Sequence, residues 1–247
     1  MDSRKFRGIR EALLGIAPSI PPESYFPAKS PEAAKLIISD SYAFLIASCL
    51  DRGTKAEIIW SIPYALKSQL THLDPGKIHE MAAGDIRNLL YSLQYRPRYI
   101  NDAPSTIRDL TQIVVEECDG DTSRVWEGRR SFEVKRTLMS VHGVGPGIAN
   151  MTILLIEKAF SYRFMDLDRH RMDIKPDVHI KRVLSRLSGR KLETDQSAIE
   201  MARLINPEFP GEIDGPLWWI GRTFCHSKKP DCPDCALFSV CDEHLVV

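Results

Sequence analysis

Four of the six cysteines in this 247-residue chain fall in one short run near the C-terminus, Cys225-x6-Cys232-x2-Cys235-x5-Cys241. Four thiolates this close in sequence can enclose one metal centre. The spacing fits a cubane [4Fe-4S] cluster, with one cysteine on each iron. Zinc is a second reading, but structural zinc sites usually present two separated cysteine pairs, and only Cys232 and Cys235 form such a pair here. Disulfides are a third and fit poorly, because no secretory signal is read at the start and cytosolic thiols stay reduced. The other two cysteines differ. Cys49 lies in the apolar stretch 43–50 and reads as a buried core thiol. Cys118 sits in an acidic turn, 116–119, with no evident partner.

A second segment, 138–150, places Gly143, Gly145 and Gly147 at alternate positions between two apolar helical stretches. Alternating glycines permit positive φ and let an anion approach bare backbone. The free N–H groups at the start of the second helix then form an anion site. Pro146 costs little there, since its missing N–H would be unpaired anyway. Such a hairpin suits gripping a nucleic-acid backbone, because amides read phosphate and not base. The alternative is an ordinary glycine-rich turn.

These residues need elements to position them, and the periodicity is helical. Apolar residues recur at helical spacing near 32–50, 55–69, 77–94, 104–117, 131–141, 147–160, 177–187 and 195–205, and strand-like alternation is scarce. An all-α fold is expected. Proline-rich stretches at 18–31 and 206–216 mark connections, and 161–176 reads as a polar, charged loop. The length allows two modest domains. No apolar run is long enough to cross a bilayer. The formal net charge is zero, so no global field draws the chain to nucleic acid. The charges are uneven, however. Basic residues gather at Arg129, Arg130, Lys135 and Arg136, at Arg169, His170, Arg171 and Lys175, and at Lys181, Arg182, Arg186, Arg190 and Lys191. They become a nucleic-acid footprint only where the fold puts them on one side.

Taken together, the hairpin and the cysteine run resemble the endonuclease III family of DNA glycosylases, in the helix-hairpin-helix superfamily. Two further segments agree: Pro176-Asp177-Val178-His179-Ile180-Lys181-Arg182-Val183, similar to the family's catalytic-aspartate motif, and Gly221-Arg222-Thr223-Phe224-Cys225, similar to its approach to the cluster. The likeness spans most of 40–241 and is weak before residue 90. It implies a six-helix barrel domain over 42–165 carrying the hairpin. A cluster domain would be built from 1–41 and 166–247, with a [4Fe-4S] cluster on Cys225, Cys232, Cys235 and Cys241. The implied partner is double-stranded DNA, bound by a monomeric, cytoplasmic, nucleoid-associated protein with no membrane attachment.

The resemblance also assigns chemistry. Asp177 would stabilise the cationic sugar, or orient the nucleophile, as a flipped base leaves. Asp177 also reads as a helix N-cap. Bifunctional members carry a lysine four residues after the first hairpin glycine, and here that position is Gly147. Glycine offers no amine for a Schiff base, so a monofunctional enzyme using water is implied. Adenine-mismatch members add a glutamate in the first barrel helix, whereas 44–50 holds no acid and Asp51 comes late. The alternatives are a non-catalytic DNA-binding protein on the same scaffold and a bifunctional glycosylase/AP lyase with a displaced lysine, for which Lys175 is the candidate. Expected DNA contacts are His142, Gly143, Gly145 and Gly147 at the hairpin and Lys228 and Lys229 between the first two cysteines. Lys181 would meet phosphate, Arg52 would fill the gap left by the flipped base, and Leu93 or Gln94 would act as a wedge. Trp218 and Trp219 read as packing around the cluster.

Overall fold

A computed structural model describes residues 3–241. The α-helices in chain order are α1 (Ser3–Ile16), α2 (Pro31–Ser39), α3 (Ser41–Leu50), α4 (Ala56–Ile59), α5 (Ile62–Leu70), α6 (Pro75–His79), α7 (Ala83–Ser92), α8 (Ala103–Gln112), α9 (Ser131–Ser140), α10 (Pro146–Ala159), α11 (Val178–Ser188), α12 (Asp195–Ile205) and α13 (Asp214–Thr223). No strand occurs among the described residues, so the fold is all-α as expected.

Two kinds of difference from the sequence reading have physical causes. Several expected helices are broken in two. The stretch 32–50 divides at Asp40, whose Oδ1 accepts the N–H groups of Tyr42 and Ala43 at 3.0 Å each. An N-cap starts a new helix, and α2 and α3 meet at 108°. Two helices were also unforeseen. In α1, Ile9 and Leu13 make a narrow buried stripe among charges. In α13, Pro216 falls in the first turn, where proline does not interrupt a helix.

The described residues divide into two compact units, Phe26–Leu167 and a second made of 3–25 with 168–241. The first break therefore lies ahead of the 41/42 position read from the sequence, because α2 packs on α3 and α5.

In the unit 26–167, α3 is buried all round, from Tyr42 to Leu50. A helix without a polar face belongs at the centre of a core. Around Phe44 stand Phe26, Trp60, Trp126 and Phe160, with neighbouring ring centroids 5.0–6.5 Å apart, mostly edge to face. Each such pair adds about 0.5–1.5 kcal/mol beyond its buried area. Cys49 is wholly buried here, and burial pushes its thiol up to about 12 against the opposing charge of Arg52. Cys118 is also buried, and Arg129 Nη2 donates to its sulfur at 3.5 Å.

In the other unit, α1 packs on α12 and α13, and α11 packs on both α12 and α13. Its core joins Ile9 and Leu13 to Val183, Leu184, Leu217 and Ile220, with Trp218 and Trp219 partly buried against it. No single described helix is long and apolar enough to cross a membrane.

Candidate functional site

The hairpin lies between α9 and α10. Gly143 has φ +78°, a left-handed conformation that only glycine adopts without strain. Gly145 is the N-cap residue of α10 in extended conformation, and Pro146 and Gly147 open its first turn. The loop is held from a distance. The carbonyl of His142 accepts from Thr106 Oγ1 at 2.8 Å and from Arg52 Nη1 at 3.3 Å, and its N–H donates to Asp109 Oδ2 at 2.9 Å. The His142 ring lies 3.7 Å from Asp102 Oδ1. Thr106 and Asp109 are one turn apart on α8, so one helix face fixes both sides of the His142 peptide.

Arg52 links a second loop to this one. Its guanidinium covers Gly143 so closely that a Cβ there would overlap it, and Nη2 donates to Thr106 Oγ1 at 3.1 Å. The 51–54 loop is tied in turn to a third. Arg98 N–H donates to Thr54 Oγ1 at 2.7 Å, and the Tyr99 ring lies against Gly53. Arg52 and Arg98 each stand 5.9 Å from the Tyr99 centroid, Arg96 stands 5.7 Å from that of Tyr91, and Lys29 stands 4.1 Å from that of Tyr95. The unit 26–167 thus gathers the hairpin, the 51–54 loop and the 92–99 loop, with cations stacked on rings. The sequence reading missed Tyr91 and Tyr99. The signal was the clustering of Tyr91, Tyr95 and Tyr99 with Arg96 and Arg98, rings and cations within nine residues.

The two wedge candidates separate. Leu93 is only 2% exposed, and its carbonyl accepts from Arg96 Nε at 3.3 Å. A core side chain cannot enter a duplex without opening the unit, which leaves Gln94, an exposed residue. Asp51, considered as an acid, is the C-cap residue of α3.

In the other unit, Asp177 caps α11. Its Oδ1 accepts the N–H groups of His179 and Ile180 at 2.8 Å each. No described residue donates to Oδ2, and the side chain is half-buried. Capping therefore occupies one carboxylate oxygen and not the other. Lys181 is paired with Asp195 at 2.9 Å, which competes with a phosphate contact. The backbone N–H of Lys175 donates to Asp214 Oδ2 at 2.6 Å.

The cysteines approach through α13. A Cβ on Gly221 would lie 2.7 Å from His179 Cβ, so glycine lets α13 close on α11. That contact brings Arg182 and Arg186 of α11 to the cysteine run. Arg182 donates to the carbonyls of Cys225 (2.6 Å) and Gly221 (2.7 Å). Arg186 donates to Cys225 Sγ (3.1 Å) and to the carbonyls of His226 (2.9 Å) and Ser227 (3.2 Å). Asp231 N–H closes the far side onto Phe224 O at 2.8 Å. Lys228 and Lys229 are exposed on the loop so anchored.

None of the six cysteines is in a disulfide. Burial raises the Cys235 thiol; a Leu237 backbone hydrogen bond opposes this, and Cys225, Cys241 and Cys232 each raise it further. Cys235 therefore lies within electrostatic reach of the other three. Four cysteines in one run, with an Arg186 N–H aimed at the sulfur of the first, are a donor set that suits a thiolate-bound centre. Among the described residues, no group of three or more His, Cys, Asp or Glu side chains is arranged to hold a single metal ion.

Helices joined by this glycine hairpin, with an aspartate at a helix start and a cysteine run after it, make an all-α fold similar to that of endonuclease III. Solved structures share it across nearly the whole chain. A non-covalent endonuclease III–DNA complex has a TM-score of 0.64 at 16% identity, covering 98% of this chain and 95% of that one. A trapped endonuclease III–DNA covalent intermediate, an estranged-adenine complex, has 0.61 at 17%, covering 98% and 96%. A thermostable thymine-DNA glycosylase has 0.61 at 15%, covering 96% and 95%. In sequence, the chain is 24% identical over 154 residues to endonuclease III of Thermotoga maritima, a stretch spanning 62% of each protein. No protein-family model matches it.

Proposed function

We propose that this chain is a DNA N-glycosylase that acts on double-stranded DNA as a monomer and excises a damaged, mismatched or modified base by hydrolysis. The observation that carries it is the Asp177 carboxylate, whose Oδ1 is held by the first turn of α11 while no described residue donates to Oδ2. A carboxylate fixed through one oxygen and available through the other is suited to a developing cation at the sugar.

The steps follow from the side chains. Hairpin amides hold the phosphate backbone. A flipped nucleotide exposes its glycosidic bond. As the C–N bond breaks, its electron pair leaves with the base and the sugar becomes cationic. Asp177 stabilises that charge and orients the water that bonds to C1′. The water's proton leaves to solvent or to the departing base. Gly147 carries no amine, so no Schiff base forms at that position. Cys225, Cys232, Cys235 and Cys241 would hold a [4Fe-4S] cluster. When bound, it supplies structural closure of the loop carrying Lys228 and Lys229, whose charges then make binding salt-dependent. A cytoplasmic, nucleoid-associated location accords with this role.

The test is a panel of duplexes, each with one modified or mismatched base, divided between alkali and borohydride after incubation. Alkali-dependent strand cleavage without a trapped adduct is expected. A borohydride-trapped adduct would show a lyase using a displaced amine such as Lys175. Binding without release of any base across the panel would show a non-catalytic DNA-binding protein.

A further inference from the structure

The position of Arg52 bears on which part of DNA it meets. Filling the gap left by a flipped base needs a side chain free to leave its own loop. The Arg52 guanidinium is instead docked on His142 O and Thr106 Oγ1, stands over Tyr99 and covers Gly143. An arginine has five N–H donors in a planar fork. The two hydrogen bonds use two of them and leave three for another acceptor. The fork lies against the exposed left-handed glycine of the loop whose amides are suited to phosphate. A guanidinium fits phosphate geometry better than an ammonium does. Its anchors also hold it in place before any ligand arrives, so little side-chain freedom is lost on binding.

We infer that Arg52 is a phosphate ligand of the hairpin, and the strut fixing the hairpin to the 51–54 loop, rather than the residue that fills the gap. This rests on the DNA-binding reading above. Two further features support it. The Tyr99 ring packs against Gly53, next to Arg52 in the same loop. Thr106 both accepts from Arg52 and donates to the His142 carbonyl, so the arginine and the hairpin backbone share one anchor.

The two roles differ in what they do to undamaged DNA. A phosphate contact weakens all duplexes alike and lowers the salt dependence, whereas a gap filler acts only where a gap exists. The experiment measures binding of the full-length protein across a sodium chloride series. The probes are an undamaged duplex and the same duplex with a tetrahydrofuran abasic-site analogue. Arg52→Gln is expected to weaken both by the same factor, about tenfold for a hydrogen bond to a charged group. It should also flatten the slope of log K against log salt by about 0.9. Arg52→Lys should restore the slope but not the full affinity, because charge returns without the fork. Thr106→Val, which removes a partner and no charge, should weaken both duplexes equally at unchanged slope.

A loss confined to the abasic duplex would assign Arg52 to the gap and overturn the inference. Loss on neither duplex, or a loss with unchanged slope in Arg52→Gln, would reduce it to a structural residue. Wild-type protein that binds neither duplex would refute the DNA-binding reading itself, a result distinct from these.

Discussion

The hairpin and the cysteine run are both short loops held by arginines from elsewhere in the chain, but they are held for different ends. At the hairpin, Arg52, Thr106 and Asp109 satisfy the His142 peptide, and the loop is complete without a ligand. At the cysteine run, Arg182 and Arg186 satisfy the carbonyls of Gly221, Cys225, His226 and Ser227, while Cys225, Cys235 and Cys241 pack against the core. The first loop is preorganised by protein alone. The second holds Cys235 where burial and the other three cysteines raise its thiol. One loop is closed by protein contacts alone, and on the function proposed above the other would be finished by a metal centre.

The largest expected effect tests that contrast. Cys232→Ser should abolish the broad visible absorption of an iron–sulfur protein and lower amide protection across 178–241. A structural metal site contributes about 10 kcal/mol or more where folding depends on it. Protection of 26–167 should be unchanged, since that unit has its own core. Equal loss in both units would break the comparison.

Next in size is Asp177. Asn caps a helix about as well as Asp but carries no charge. Asp177→Asn should therefore slow base release about 10²–10³-fold with no change in the unfolding midpoint. Asp177→Ala should slow it equally and also cost about 1 kcal/mol of stability. Unimpaired base release by Asp177→Asn would leave the aspartate as a cap and nothing more.

Smaller effects are expected within the hairpin. Gly143→Ala places a side chain at φ +78° and against Arg52, and should cost about 1–2 kcal/mol in urea unfolding. Gly145→Ala, where a Cβ meets nothing within 4 Å, should stay within about 0.5 kcal/mol. Similar costs at both would show that Arg52 does not rest on the hairpin.

The smallest effect concerns the buried thiol of Cys49. Its value rises from 9.0 to about 12 on folding, so between these limits the folded state keeps a proton that the unfolded state gives up. The sign follows: the contribution is whole below pH 9.0 and is lost as pH rises toward about 12. Urea midpoints taken upward from pH 8 should therefore fall faster in the wild type than in Cys49→Ala. Native protein near neutral pH should leave this thiol unmodified by a thiol reagent.

Legibility differed in the same way between regions. The cysteine run, the glycine hairpin and the Asp177 motif were visible because each is local: spacing along the chain sets which atoms can meet. Helix positions were visible from periodicity, although the cap at Asp40 and the short breaks between α4 and α5 and between α6 and α7, which carry no side-chain cap, were not. Helix α1 was missed because its apolar stripe is narrow, and α13 because Pro216 reads as a breaker unless it falls in a first turn. Leu93 was misjudged because exposure depends on the packing of neighbours distant in sequence.

By itself the sequence determined that four cysteines fall in one short run, that three glycines alternate between two helices, and that the fold is helical. Those properties follow from residue type and local spacing. Only the tertiary structure decided that Arg52 reaches His142, ninety positions away, and that Arg186 reaches Cys225 across the contact opened by Gly221. Such contacts are set by how whole helices pack, and no local pattern specifies which side chains that packing brings together.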